Sequence, residues 1–161
     1  MNIFILSQDP TLAAQYQCDK HVVKMVLEST QILSTVQSKF GIETKYKPTH
    51  SKHPCVLWAG ESLANYLWLV THAKALSEEY TYRYGKIHAC HELIVGPLST
   101  PPPIEQINLT EFVQCMPDQY KISGDAVQAY RNYYMGEKAD FAVWNKTRKA
   151  PVWFQPFKVT K

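Results

Sequence analysis

Residues 17–28, QCDKHVVKMVLE, form the stretch on which the fold of this chain depends. At about 100° per residue, a helix gathers the polar side chains of this region on one side. They are Gln17, Lys20, His21, Lys24, Glu28 and Gln31, and the opposite side carries Cys18, Val22, Met25, Val26, Ile32 and Leu33. One side can enter a core while the other presents amines, an imidazole and a carboxylate to a ligand. The alternative is an ordinary amphipathic helix whose polar side faces water.

The helix that contains this stretch has clear start and stop signals. Asp9-Pro10 is typical of a helix start, with Asp as the N-cap and Pro at the first helical position. The helical pattern then runs to about Ser38, with one break expected near Gln17, and Gly41 ends it. Because Asp19 falls on the apolar side, we expect its carboxylate to cap a turn or to pair with a buried donor.

The remaining chain predicts further helices and almost no strand. Residues 2–6 read as a short buried strand or extended segment. Helical patterns follow at about 55–59, 62–84 (ending at Gly85), 87–94, 124–134 and 137–144, with a proline-rich loop at 96–103. We therefore predict a mainly α fold, a compact single-domain helical bundle over residues 1–161 with a short N-terminal extended segment.

Composition narrows the class of protein. The 161 residues are 45% hydrophobic and 19% charged, which is typical of a folded domain. Because the net charge is only +3, a polyanion would have to bind at a local basic patch. The sequence shows no signal peptide, no apolar run long enough for a membrane span and no P-loop motif. We expect a cytoplasmic protein (in the host cell if phage-encoded), a monomer, with its four cysteines reduced.

Histidine and cysteine recur at short spacing, so a metal site is a hypothesis to weigh. The groups are Cys18 with His21, His50 with His53 and Cys55, and His88 with Cys90 and His91. Zinc uses such ligands, but no CxxC or HExxH motif occurs and the groups differ in spacing. The sequence therefore predicts no metal and no cofactor.

Basic residues alternate with aromatic residues in three stretches, at 45–47, 80–86 and 146–154. Amines neutralise phosphates and aromatic rings stack on unpaired bases, so this pattern favours nucleic-acid binding. The basic linker at 42–54 is the best candidate for a phosphate-contacting loop. The predicted DNA- or substrate-binding residues are Gln17, Tyr46, Lys47, His50, His53, Arg83, Lys121, Arg131, Arg148, Lys149 and Trp153.

The sequence resembles the small phage-type pyrimidine-dimer DNA glycosylases, such as the endonuclease V of T-even phages. The similarity lies in Asn2-Ile3, in Leu12-Ala13 and Gln15, in the loop-and-helix unit from Pro48 to Tyr84 and in the tail from Arg148 to Phe154. Through Cys18 to His21 and His53 to Cys55 it is also similar to a group of phage proteins of uncharacterised function.

The resemblance implies base excision, in which an amine attacks C1′ of a flipped nucleotide, a Schiff base forms and a first-helix Glu assists. Glu28 would be the carboxylate, His21 would share in proton transfer, and Lys20, Lys24 or the Met1 amine would be the nucleophile. The family uses the amine of a small residue exposed by removal of Met, whereas Met1 here precedes Asn2. The family's Glu also lies earlier in the helix, nearest to Val23 of this chain.

Two other functions remain open at this stage. One is a base-modifying or group-transfer enzyme that acts on DNA or free nucleotides. The other is a non-enzymatic module that binds DNA or a host protein.

Overall fold

The computed structural model describes residues 1–157, and the secondary structure in that range is helical. Six α-helices are present: α1 (Pro10–Tyr16), α2 (Asp19–Lys39), α3 (Pro54–Glu61), α4 (Leu63–Tyr84), α5 (His91–Val95) and α6 (Ala126–Tyr133). Short 3-10 turns lie at Pro97–Ser99 and Asp118–Tyr120, and a π turn at Tyr134–Lys138 continues α6. Residues 1–157 contain no β-strand, which confirms the mainly α prediction.

The two long helices, α2 and α4, pack against each other and carry the core between them. Val22, Val26 and Leu33 of α2 and Leu69 and Leu76 of α4 are all fully buried in one apolar cluster. Helix α1 packs against α4, and α3 packs against both α2 and α4. The apolar side of the stretch at 17–28 therefore enters the core as the spacing predicts.

The helical structure is interrupted between α1 and α2, near Gln17 as predicted. Arg83 of α4 stabilises this interruption. Its guanidinium donates to the carbonyls of Gln15 and Gln17 at 2.8 and 2.7 Å, satisfying acceptors that the end of α1 leaves open. Asp19 accepts from Arg83 at 3.2 Å and from the backbone N–H of Asn145 at 2.8 Å. The expectation that Asp19 pairs with a buried donor is confirmed.

Capping residues set the limits of α3 and α4. Nδ1 of His53 accepts from the backbone N–H of Cys55 at the start of α3. Ser62 is the residue between the two helices, and its hydroxyl caps α4 by accepting from the backbone N–H of Asn65. Gly85 ends α4 at a φ of +69°, a left-handed conformation that glycine adopts without strain.

The prediction of a helix at 137–144 is wrong. Instead of breaking α6, Gly136 lies inside the π turn, where the Tyr120 ring packs directly over its Cα. A Cβ at this position would lie 2.6 Å from the Tyr120 hydroxyl, so the glycine is needed for close approach rather than as a helix stop. From residue 139 to 157 the chain consists of turns and irregular backbone.

The N-terminal segment is buried and irregular, not a strand. Ile3 to Leu6 are all buried, and Phe4 has a φ of +58°, a left-handed conformation that is strained for an aromatic residue. Stacking of the Phe4 ring on His21, with centroids 4.3 Å apart, offsets this strain. In the described range no helix combines the length and the apolar character that crossing a membrane requires.

Candidate active site

The amino group of Met1 lies against a carboxylate of α2. Its nitrogen is 3.3 Å from Oε1 of Glu28, and the two side chains are only 4% and 12% exposed. The other oxygen, Oε2, is buried and has no hydrogen-bond partner among the described residues. Glu28 thus holds an amine with one oxygen and keeps a second acceptor free.

Asn2 fixes the N-terminus at this place. Its Oδ1 accepts from the backbone N–H of Ile3 at 2.8 Å and from the Tyr130 hydroxyl at 3.0 Å. Its Nδ2 donates to the carbonyl of Cys115 at 2.8 Å. Because two of these partners, Tyr130 and Cys115, come from distant parts of the chain and the contacts are largely buried, the Met1 amine has a defined position.

A histidine and two cysteines form a cluster that includes Cys115, the residue whose carbonyl accepts from Asn2. The ligand atoms of His53, Cys55 and Cys115 all lie within 4.8 Å of one another, and the two sulfur atoms are 3.3 Å apart. The hydrogen bond between the thiols raises the pKa of Cys55, together with burial, and lowers the pKa of Cys115. Burial lowers the pKa of His53, and the charge of the Met1 amine lowers it further. The charge of the Met1 amine therefore acts on all three members of the cluster.

His21 is buried in the core. The expected role in proton transfer would instead place it at a surface that a substrate can reach. Its Nδ1 lies 2.5 Å from the Tyr134 hydroxyl and its ring stacks on Phe4. Burial lowers the pKa of His21 to about 3, with smaller contributions from the charges of Lys138, Lys24 and Lys20. The imidazole is therefore neutral at physiological pH, and its contacts suit positioning of the N-terminal segment.

Lysines surround this buried histidine on the outside. Lys20 and Lys24 are exposed on α2, and the Nζ of Lys20 lies 4.9 Å from the centre of the Phe141 ring. Lys138 is half-buried, with its Nζ 4.7 Å from the centre of the Tyr133 ring. Amines set among aromatic rings form a surface suited to phosphates and unstacked bases.

The linker before α3 contributes in part to the site. His53 lies in it, and the charge of the exposed His50 acts on His53. Lys47 is exposed, whereas Tyr46 is half-buried with its hydroxyl 3.5 Å from Sγ of Cys90. From another segment, the charge of Lys121 acts on Cys115, although Lys121 also pairs with Asp118 at 3.0 Å.

Two of the predicted binding residues lie in the core instead of at a surface. Gln17 is fully buried and donates to the carbonyl of Ile3. The side chain of Arg83 is 0% exposed and pairs with Asp19 and Glu79. A guanidinium in this setting cannot reach a phosphate without breaking two ion pairs, so its position argues against the predicted phosphate contact.

Arg148 of the basic tail and Arg131 of α6 are also largely engaged in packing. Arg148 pairs with Glu79 at 2.6 Å, and its guanidinium lies over the Tyr82 ring. Arg131 donates to the carbonyl of Leu6 and lies over the rings of Tyr16 and Trp153. Lys149 is exposed.

A cavity of about 300 Å³ opens elsewhere, between the segment at 109–114 and the start of α6. Its lining includes Glu111 and Asp125, whose charges would repel phosphate, and it includes neither Met1 nor Glu28. This cavity is therefore not formed by the amine and its carboxylate.

A family model described as pyrimidine dimer DNA glycosylase matches residues 1–92, more than half of the 161-residue chain. The chain belongs to this family. No curated protein and no solved structure matches it. Membership in the pyrimidine dimer DNA glycosylase family supports a DNA-acting glycosylase in general terms, with DNA as the partner.

The matched region covers only part of the site. It includes Met1, Glu28, His53 and Cys55, whereas Cys115 and Tyr130 lie beyond residue 92. Sequence reasoning did not place Cys115 or Tyr130 at the site, because only the tertiary fold brings them to the N-terminus. Asn2 could have been predicted as a site residue, since it is part of the resemblance to the glycosylases.

Proposed function

We propose that this member of the pyrimidine dimer DNA glycosylase family removes a base from DNA with the Met1 amino group as nucleophile and Glu28 as its proton-handling partner. The observation that carries the proposal is the 3.3 Å contact between the Met1 nitrogen and Oε1 of Glu28. Such a contact is within reach of a single proton transfer.

The chemistry follows from this pair. The neutral amine attacks C1′ of a flipped nucleotide, the N-glycosidic bond breaks, and the base leaves with its electron pair and takes a proton from water. Glu28 accepts a proton from the attacking amine and then gives it to O4′ as the sugar ring opens. The product is a protonated imine between Met1 and C1′, from which elimination of the 3′ phosphate gives a lyase product.

Three amines were candidates for the nucleophile, and their settings differ. Lys20 and Lys24 are exposed to solvent, whereas Met1 lies in a largely buried contact with a carboxylate. As a class, α-amino groups in short peptides also lose their proton about 2 to 3 pH units below lysine side chains. Position and chemistry therefore both favour Met1, and they leave Lys20 and Lys24 to hold phosphate.

The position of Glu28 offsets the two departures from the family pattern. With Met1 retained, the amine stands one residue further from Ile3 than an amine exposed by processing would. The carboxylate stands five positions, more than one helical turn, beyond Val23. The contact between Met1 and Glu28 is consistent with the two changes compensating each other.

Borohydride trapping tests the proposal. The reduced imine links protein to DNA, so duplexes with a cyclobutane pyrimidine dimer or an abasic site should yield a covalent adduct, and peptide mapping should place it on the amino-terminal peptide. Intact mass of the purified protein first establishes that the Met1 amine is free. Lys24→Arg serves as a control that should still trap. An adduct on Lys20 or Lys24, or no adduct with either duplex, would contradict the proposal.

A further inference from the structure

The cluster of His53, Cys55 and Cys115 joins two separate parts of the chain. His53 and Cys55 lie at the start of α3, and Cys115 comes from the segment before the second 3-10 turn. Their ligand atoms lie within 4.8 Å of one another, and the thiols are buried or half-buried. The sequence paired His53 with Cys55 but gave no sign of the third ligand.

We propose that His53, Cys55 and Cys115 bind a zinc ion. Two thiolates and one imidazole are a ligand set that zinc prefers, and three protein ligands leave one tetrahedral position open. With zinc–sulfur bonds of about 2.3 Å, two sulfurs in a tetrahedral site lie about 3.8 Å apart. The observed 3.3 Å therefore needs only small side-chain rotations to receive the ion.

Glu28 gives an independent indication of a cation at this place. Its Oε2 is buried without a partner among the described residues, although a buried carboxylate oxygen ordinarily accepts a hydrogen bond. The charge of Glu28 acts on both His53 and Cys55, although its carboxylate is not among the ligand atoms that lie within 4.8 Å of one another. A zinc ion would therefore satisfy this oxygen through a water bound in the open position.

The histidine is prepared for coordination at little cost. Its Nδ1 accepts a 3.1 Å hydrogen bond from the backbone N–H of Cys55, so that nitrogen carries no proton. Coordination by either ring nitrogen exchanges this single hydrogen bond for the metal bond. The ion would link the start of α3 to Cys115, whose carbonyl accepts from the Asn2 side chain. It would therefore also help to fix the N-terminus.

The two sulfurs are also close enough for a disulfide to form under oxidation, and a disulfide would engage neither His53 nor Glu28. The proposal of a zinc site rests on the three ligands and on the unpartnered oxygen of Glu28. It does not depend on the glycosylase reaction. A binding measurement therefore separates its failure from failure of the proposed function.

The test is titration of reduced, metal-free protein with Co²⁺ under anaerobic conditions, followed by displacement with Zn²⁺. We expect one equivalent of Co²⁺ to bind with the intense absorption of a tetrahedral thiolate site, and zinc to remove it. Cys115→Ser, Cys55→Ser and His53→Asn should each weaken zinc binding by at least about 100-fold, the upper end of the loss caused by outer-shell changes.

The variants carry their own controls. Asn is a good N-cap, so His53→Asn keeps the cap of α3 while it removes the imidazole. Cys90→Ser removes a buried cysteine outside the cluster and should bind one equivalent, like the unaltered protein. Circular dichroism of each variant establishes that it folds. No cobalt absorption, unchanged affinity in folded Cys115→Ser, or a Cys55–Cys115 disulfide that persists with reductant present would overturn the proposal.

Discussion

The hydroxyl of Tyr130 lies 3.0 Å from Oδ1 of Asn2 and joins α6 to the N-terminal segment. The same hydroxyl accepts from the backbone N–H of Cys115 at 3.1 Å. Tyr130 therefore links α6 both to the N-terminal segment and to Cys115 at the candidate site.

Removing this hydroxyl should loosen the N-terminus. Tyr130→Phe leaves the N–H of Cys115 without its partner and Asn2 with one bond fewer, so we expect a loss of about 1–3 kcal/mol in the free energy of unfolding. The yield of borohydride-trapped adduct should also fall, because the Met1 amine loses its fixed position. Urea denaturation and trapping measure the two effects. Tyr133→Phe, which keeps the Tyr130 hydroxyl, is the control.

Glu28→Gln should separate catalysis from folding. Gln has nearly the same shape but cannot accept a proton from the amine, so we expect base excision to slow by about 10²–10⁴-fold. Stability should change by about 1 kcal/mol, since the lost pair is a single contact at the edge of the core. Glu78→Gln on the exposed side of α4 is the matched control. Equal rates in both variants would remove Glu28 from the mechanism.

Arg83 should matter for stability and not for DNA contact. Arg83→Leu leaves the buried carboxylates of Asp19 and Glu79 without this partner, so we expect a loss of about 3–5 kcal/mol. Arg148 is 33% exposed and shares Glu79, so Arg148→Leu should cost about 1 kcal/mol or less. Denaturation with urea distinguishes them. A stable Arg83→Leu protein with weakened DNA binding would instead restore the predicted phosphate contact.

Buried histidines should make the protein sensitive to acid. Burial lowers the pKa of His72 to about 4 and that of His21 to about 3. Histidine in an unfolded chain titrates near 6.5, so below this pH the unfolded state binds more protons and stability is lost as the pH falls. Each histidine should cost about 2 kcal/mol between pH 6.5 and 5.

His72→Gln isolates one of these contributions. The variant should be less stable at pH 7 because the contacts of His72 with Gln17 and Pro10 change. Its free energy of unfolding should nevertheless fall by about 2 kcal/mol less than that of the unaltered protein between pH 6.5 and 5. Chemical denaturation at several pH values measures this difference. Parallel pH profiles for the two proteins would show that His72 does not titrate as its burial implies.

Local patterns in the sequence predicted most of the helical frame. The start of α1, the interruption before α4 and the end of α4 at Gly85 all follow from residues that cap or break helices in their immediate neighbourhood. The break near Gln17 was predicted as well, but the contacts that stabilise it come from distant Arg83. Gly136 misled the prediction because its role depends on Tyr120, a contact that no local pattern records.

The candidate site was predictable only in part. Glu28 and the Met1 amine were named through the resemblance, but so were Lys20 and Lys24, and helix spacing alone could not choose among them. The polar side of α2 was expected to face a ligand as a whole. In the structure the N-terminal segment covers part of it, so His21 is buried against Phe4 and Glu28 against Met1.

The left-handed bend at Phe4 directs the first three residues of the chain toward Glu28. The stacking of Phe4 on His21 anchors that bend, and the three preceding residues just reach the carboxylate. A fusion partner or affinity tag joined ahead of Met1 would convert the amine to an amide and remove its charge from the contact with Glu28. Recombinant protein intended for assay should therefore carry any tag at the carboxyl end, or be cut back to a free Met1.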